Sequence, residues 1–295
     1  RGNKKILCMS IIREQRTMSQ DKLTASPTGV ELVRRLAAEG ERIFDTDRAR
    51  ELAPAVGLSE GYLRQALHHL VRTGWLVRIR KGLYAVSSAM PGVSPVHEFE
   101  IAMALVSPAA ISHWSALHVH GLTDQPPRKV FVLTTTEASA PRPPRGKGHG
   151  PDGDYRAGGS VFRFVRVRPE RYFGTEKAWA GEARVTVTDP ERTLIDGLSM
   201  PQLCGDFAEV MHAFETRGDA LDIPRAIDYA LRLDDATTKR LGWVLEALGH
   251  PLNDLQKLLE RPIKGYRRLD ASGPPRGPCN RRWTIQENLP GRIPD

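Results

Sequence analysis

Arg64, Gln65, His68 and Arg72 are polar side chains that, on a helix, share the side away from Leu63, Ala66, Leu67 and Leu70. Donors at this spacing suit one task well. When such a helix lies in the major groove of a duplex, Arg can bridge the O6 and N7 acceptors of guanine, and Gln the N6 and N7 groups of adenine. Arg64 and Gln65, in the N-terminal half of the segment, are the candidates for base reading, with Ser59, Tyr62, His68 and Arg72 beside them. A few residues later Arg78 and Arg80 alternate with Val77 and Ile79, and Lys81 stands at the tip of an expected hairpin. Alternation puts both arginines on one side of the ribbon, where they reach phosphates or the minor groove. No acid interrupts the run from Gly61 to Val86. The pattern points to double-stranded DNA held by a helix and a ribbon. A solvated subdomain kept soluble by arginines explains the charge, but not the element order, the missing acids and the basic tip together.

The elements that must position these groups follow from hydrophobic period and stop signals. VELVRRLAAEG predicts a helix ending at Gly40, and a connection through Phe44 leads to Asp45 or Thr46 as cap of DRARELAPAVG, whose later part Pro54 leaves open. Ser59 is the expected N-cap of the next helix, Gly74 its stop, and WLVRIR and LYAV the strands of a hairpin turning at Lys81-Gly82. Three helices and a hairpin make a winged helix-turn-helix. The expected fold class is α+β, with this domain followed by a larger mixed α/β domain. The limits read from composition are an N-terminal extension over 1–28, the winged helix over 29–88, a Ser/Pro/Gly linker over 89–96, and a second domain over 97–290 with a mobile loop at about 137–160. In the second domain HEFEIAMALV and AAISHWSALHVHGL read as helices, RKVFVLTTT, VFRFVRV and ARVTVTD as strands, and PERTLIDGL as a helix. Residues 202–259 read as helical, and the tail beyond them as basic and irregular.

The chain of 295 residues is long enough for two cores, and its net charge of +8 favours a polyanionic partner. Cys8, Cys204 and Cys279 are far apart and form no CxxC, which points to a reducing cytosol rather than a disulfide framework or zinc ribbon. No apolar run approaches a membrane span, and the stretch RGNKKILCMSIIREQ is broken by Ser10 and Arg13, unlike a signal peptide. A cytoplasmic protein without cofactor or membrane partner is expected.

Two clusters invite an enzymatic reading. His113, His118 and His120 lie close together, but without HExxH or a companion carboxylate, so packing is favoured over a metal site. Asp189, Glu191 and Asp196 in TDPERTLIDG read as a helix start, with Asp189 as N-cap, Pro190 first in the helix, Glu191 at the positive end and Arg192 in an internal ion pair. TEKA has its acid and lysine adjacent, the wrong spacing for a nuclease pair, and no P-loop, GxGxxG or GxSxG occurs. No catalytic residue is expected. In the C-terminal tail, Arg267, Arg268, Arg281 and Arg282 with Tyr266 and Trp283 offer a second nucleic-acid face, against which aromatics that simply pack on the domain are favoured.

GYLRQALHHLVRTGWLVRIRKGLYAV resembles the N-terminal winged-helix domain of AbiEi-family antitoxins from type IV toxin–antitoxin systems. ISHWSALHVHGLTDQ and VTDPERTLIDGL are similar to two blocks of that family's C-terminal domain, so the likeness spans about residues 29 to 290. The resemblance implies an antitoxin that represses its own operon through upstream inverted repeats. It also implies a nucleotidyltransferase toxin encoded nearby and countered without a stable complex. On DNA it places Arg64, Gln65, His68, Arg78, Arg80 and Lys81, and it transfers no catalytic residue. A homodimer matches an inverted repeat. The extension and the Pro/Gly loop depart from the family pattern. The alternatives are a winged-helix regulator with a sensing C-terminal domain and no toxin, and a nuclease directed by a winged helix.

Overall fold

The computed structural model describes residues 27–88, 94–139 and 154–289. The described residues form two compact units, one reaching Ala104 and including Arg156–Gly159, the other made of Leu105–Tyr155 and the residues from Ser160 onward.

In the first unit α1 (Pro27–Ala38) buries Leu32, Val33 and Leu36, three and four residues apart as a helix requires. The connection expected at Phe44 is instead a strand, β1 (Ile43–Asp45), too short to show any period. Asp45 ends it and caps α2 (Thr46–Leu52), accepting a hydrogen bond from the Arg48 amide at 2.8 Å. Pro54 cannot donate to an α-helical ladder, and the chain tightens into a 3₁₀ turn over Ala53–Val56. Next come α3 (Glu60–Arg72), β2 (Leu76–Arg80) and β3 (Leu83–Val86). The sheet order is β1-β3-β2, with both pairings antiparallel. One core joins α1, α2 and α3 to Phe44, Leu76 and Val86. Helix α4 (Glu98–Leu105) follows.

The second unit is built on strands β4 (Ala110–Ile111), β5 (Val130–Thr135), β7 (Ser160–Val167), β8 (Thr175–Ala180) and β9 (Ala183–Thr188), ordered β7-β5-β4-β9-β8, while the short β6 (Tyr155–Ala157) falls at the division between units. β5 runs parallel to β7 and β4 parallel to β9, and the remaining pairs are antiparallel. AAISHWSALHVHGL is therefore not one helix. Ala110 and Ile111 are drawn into the sheet, and α5 (His113–Val119) starts only afterwards. β8, TEKAWA, escapes sequence reading because it is exposed on both faces along most of its length and so shows no alternation. Helices α6 (Pro190–Ser199), α7 (Phe207–Arg217), α8 (Ile223–Leu233), α9 (Asp235–Ala247) and α10 (Gln256–Glu260) supply the rest of the core.

The tail is less irregular than expected. β10 (Arg267–Arg268), β11 (Cys279–Asn280) and β12 (Ile285–Gln286) form a small sheet ordered β10-β12-β11. Trp283 is fully buried against α9, where a Cβ on Gly242 would lie 2.0 Å from its ring. Of the loop expected at about 137–160, Tyr155–Ala157 and Ser160 lie in strands, and residues 140–153 lie outside the described residues. So do residues 1–26 of the expected extension and 89–93 of the linker, whereas Pro27 and Thr28 open α1.

Candidate nucleic-acid interface

The period of α3 buries Leu63, Ala66, Leu67 and Leu70 and leaves Tyr62, Arg64, Gln65, His68 and Arg72 exposed on its other side. Ser59 holds the N-cap position in extended conformation, but its hydroxyl makes no capping bond. Tyr62 is 48% exposed.

The hairpin is not the simple ribbon that alternation predicts. Arg78 pairs with Tyr84 and Arg80 with Leu83, so Ile79 is an inserted residue. Paired residues share a face, and the neighbours Leu83 and Tyr84 point to opposite faces. Arg78 and Arg80 therefore lie on opposite faces, not on one. The burial pattern agrees: Ile79 is buried while Val77, its expected companion, is exposed. Arg78 shares its face with Leu76, which enters the core beside α3.

The result is a groove of about 520 Å³ between α3 and the ribbon, lined by Arg64, Gln65 and His68 from the helix, Arg78 and Tyr84 from the ribbon, and Gly61 and Val71. A smaller hollow, about 250 Å³, continues on the far side of Gln65 and His68, where Tyr62, His69 and Arg72 face Gly29. Arg72 Nη2 sits 3.2 Å from His69 Nδ1. Ser59, Arg80 and Lys81 line neither hollow. Lys81 is exposed at the turn, where Gly82 takes a φ of +76°.

Charge is distributed unevenly over this unit. Arg48 is clamped by Glu41 at 2.8 Å, Glu51 at 2.9 Å and Glu39 at 2.6 Å, which holds its guanidinium pKa above the usual range. Arg50 contacts Asp47 and, at 3.0 Å, Glu60, so the one acid of α3 is neutralised. Among the described residues no carboxylate pairs with Arg64, Arg72, Arg78, Arg80 or Lys81. The cations of α2 are spent on protein, and those of α3 and the ribbon face solvent.

In the second unit the acids of TDPERTLIDG are spent on structure. Asp189 caps α6, accepting from the Arg192 amide at 2.7 Å and from the Tyr229 hydroxyl at 2.8 Å. Burial, together with that carboxylate, pushes the Tyr229 pKa up to about 12. Arg192 is fully buried; its Nε donates to Asp196 at 3.0 Å and its Nη1 to the Arg171 carbonyl at 2.9 Å. Glu191 is 1% exposed and held by Arg217 at 3.1 Å and Arg225 at 3.6 Å. The histidines diverge. His113 Nδ1 lies 2.9 Å from Ser112 Oγ, His120 Nε2 lies 2.7 Å from the Thr188 carbonyl oxygen, and His118 is exposed. Burial lowers the pKa of His113. No cluster of three metal-ligating side chains forms among the described residues.

The C-terminal basic set also divides. Arg268 Nη1 donates to the Gly273 carbonyl at 2.6 Å, and Arg282 pairs with Glu246, which also accepts from the buried Trp283. Arg267 and Arg281 are exposed, as is Tyr266 at 45%. The structure thus assigns Trp283 to packing and leaves Tyr266 outside.

A core of helices closed by the sheet β1-β3-β2, followed by a larger mixed α/β unit, defines a winged-helix-type protein. Residues 31–87, in the N-terminal region, match the family described as transcriptional regulator, AbiEi antitoxin, a match that supports a DNA-binding regulator. Among solved structures the fold is similar to the RV2827C protein from Mycobacterium tuberculosis, with a TM-score of 0.64 at 16% identity over 88% of this chain and 91% of that one. No curated protein matches the chain. Among the described residues no helix is long and apolar enough to cross a membrane.

Proposed function

We propose that the chain is a sequence-specific DNA-binding antitoxin that represses its own operon and counteracts a nucleotidyltransferase toxin in the cytoplasm. The winged helix at 29–88 binds an upstream inverted repeat, with two copies matching its two halves. The domain at 97–290 carries the antitoxic activity, without a stable toxin complex and without a catalytic residue or cofactor.

The observation that supports this reading most is the groove lined by Arg64, Gln65, His68 and Arg78, with no acid in its lining and with Glu41 and Glu60 of the same unit paired to Arg48 and Arg50. Arg64 and Gln65 read base edges in this proposal, with Tyr62 and His68 beside them. Ser59, Arg72, Arg80 and Lys81 act on phosphates around that centre. Arg267 and Arg281 form a smaller second face for nucleic acid, from which Arg268 and Arg282 are withdrawn by their internal bonds.

The test is binding of the full chain to the duplex upstream of its gene, against a scrambled duplex, over a salt series. Tight binding confined to the upstream repeat is expected, followed by rescue of growth when the neighbouring toxin is co-expressed. Equal, weak binding to both duplexes would refute the repressor. Failure of rescue with intact binding would leave a regulator without a toxin.

A further inference from the structure

β8 is the outer strand of its sheet, and among the described residues no strand pairs with its far side. Its pairing with β9 runs without a bulge from Thr175↔Thr188 to Ala180↔Ala183. The tight turn at Gly181-Glu182 makes Ala180↔Ala183 a hydrogen-bonded pair, and such pairs alternate along an antiparallel ladder. Ala178 and Glu176 therefore spend their backbone groups on β9, while those of Thr175, Lys177 and Trp179 point outward. Natural sheets blunt such edges with proline, bulges, cover or charged side chains. Among the described residues β8 has no proline, bulge or covering strand; its charges are Glu176 and Lys177, and it carries the most exposed large apolar side chain, Trp179 at 72%.

We propose that β8 pairs antiparallel with β8 of a second copy of this chain, around a two-fold axis through Ala178. A two-fold axis normal to the sheet keeps each face continuous, so opposed residues must share a face. Centring on Ala178 sets the two alanines opposite one another, Glu176 opposite Ala180, and Lys177 opposite Trp179, the last pair occurring twice. Each ammonium group then rests on the neighbour's indole, a cation–π contact. Lys177 and Trp179 are both exposed and on one face, and Lys177 Nζ needs to give up only an exposed 2.6 Å bond to Thr186. Centring on Lys177 would oppose two ammonium groups, and centring on Glu176 two carboxylates, which like-charge repulsion disfavours. Centring on Trp179 would leave each Lys177 opposite Gly181, without the indole, so the Ala178 register is the one that pairs both cations with a ring. A single strand pair buries less than the roughly 1,200 Å² of a stable interface, so the association is weak and is strengthened when two copies share one duplex.

The pairing is tested without DNA, so its failure and that of the DNA-binding reading are separable. In a Cys8→Ser and Cys279→Ser background, Ala178→Cys should give a disulfide-linked dimer on mild oxidation, since opposed Cβ atoms in such a pair lie about 4.5–5.5 Å apart. Lys177→Cys, displaced from its own copy in this register, should link far less. Equal linking at both positions would overturn the register, and no linking at either would overturn the interface. Sedimentation of the unmodified chain should show concentration-dependent dimers, weakened about tenfold by Trp179→Ala. Binding of that variant to a single half-site duplex should stay unchanged. An unaltered dimer constant would remove Trp179 from the contact and sink the proposal.

Discussion

The inserted residue at Ile79 divides the ribbon's arginines, and that division can be measured. Arg78 lines the groove with Arg64 and Gln65, whereas Arg80 lies on the other face and Lys81 at the tip. The double variant Arg80→Ala/Lys81→Ala removes two unpaired cations that have no access to the groove. Each phosphate contact contributes about 0.9 to the slope of log K against log salt, hence about 3.5-fold between 50 and 200 mM. The double variant should therefore lose about 12-fold less affinity across that range than the parent chain. Its preference for operator over scrambled duplex should be unchanged, because phosphates are the same in both. Arg78→Ala should do the reverse, costing about 1–3 kcal/mol of discrimination, roughly 5- to 150-fold, if its guanidinium joins the base contacts of α3. Fluorescence anisotropy with both duplexes at several salt concentrations reads both quantities. If Arg78→Ala flattens the slope and spares the preference, or the double variant erodes the preference, the opposite-face assignment has no functional meaning.

Three further predictions concern the second unit. Gly242→Ala should cost about 3 kcal/mol in urea unfolding, the upper end for overpacking, because the new methyl group takes space held by the fully buried Trp283; a loss below about 1 kcal/mol would show that the ring relaxes freely. Glu191→Gln should destabilise by about 1–3 kcal/mol, a buried-pair cost reduced because Arg217 and Arg225 keep partial access to water; thermal denaturation at matched pH would contradict this if the midpoint stayed put. His113 is held neutral by burial, with Asp196 and Arg192 as its charged neighbours, so the unfolded chain takes up its proton first as pH falls. The stability it contributes is complete above the unfolded value of about 6.5 and declines below it; His113→Asn, whose side chain tolerates the φ of +50°, should flatten that decline between pH 6.5 and 5, and an unaltered curve would count against the assignment.

What the sequence discloses is what is local. The stripe Leu63, Ala66, Leu67 and Leu70 repeats with the helical period, and both the burial of α3 and its polar face follow from it. The cap at Asp189 is likewise readable, because a cap needs only a short side chain three residues before the amide it accepts from. Long-range requirements leave no such trace. The bulge at Ile79 changes no residue type, so Arg78 and Arg80 read as one row. Ala110 and Ile111 read as helix because their pull into the sheet comes from β5 and β9, distant in sequence. Trp283 stands among arginines, where packing on the domain is the favoured reading but its site is illegible; the bare Gly242 and the carboxylate of Glu246 supply it.

That last contact has a consequence for the order in which the molecule comes into being. The first core is complete once Val86 has been made, while the second stays open above Gly242 until Trp283 arrives. At about 5–20 residues per second, synthesis separates the two events by roughly 10–40 s. During that interval the nascent chain presents its groove without a finished body. Translation that stalls before Trp283 would release products of the same kind, able to compete for the same duplex while lacking whatever the second unit adds.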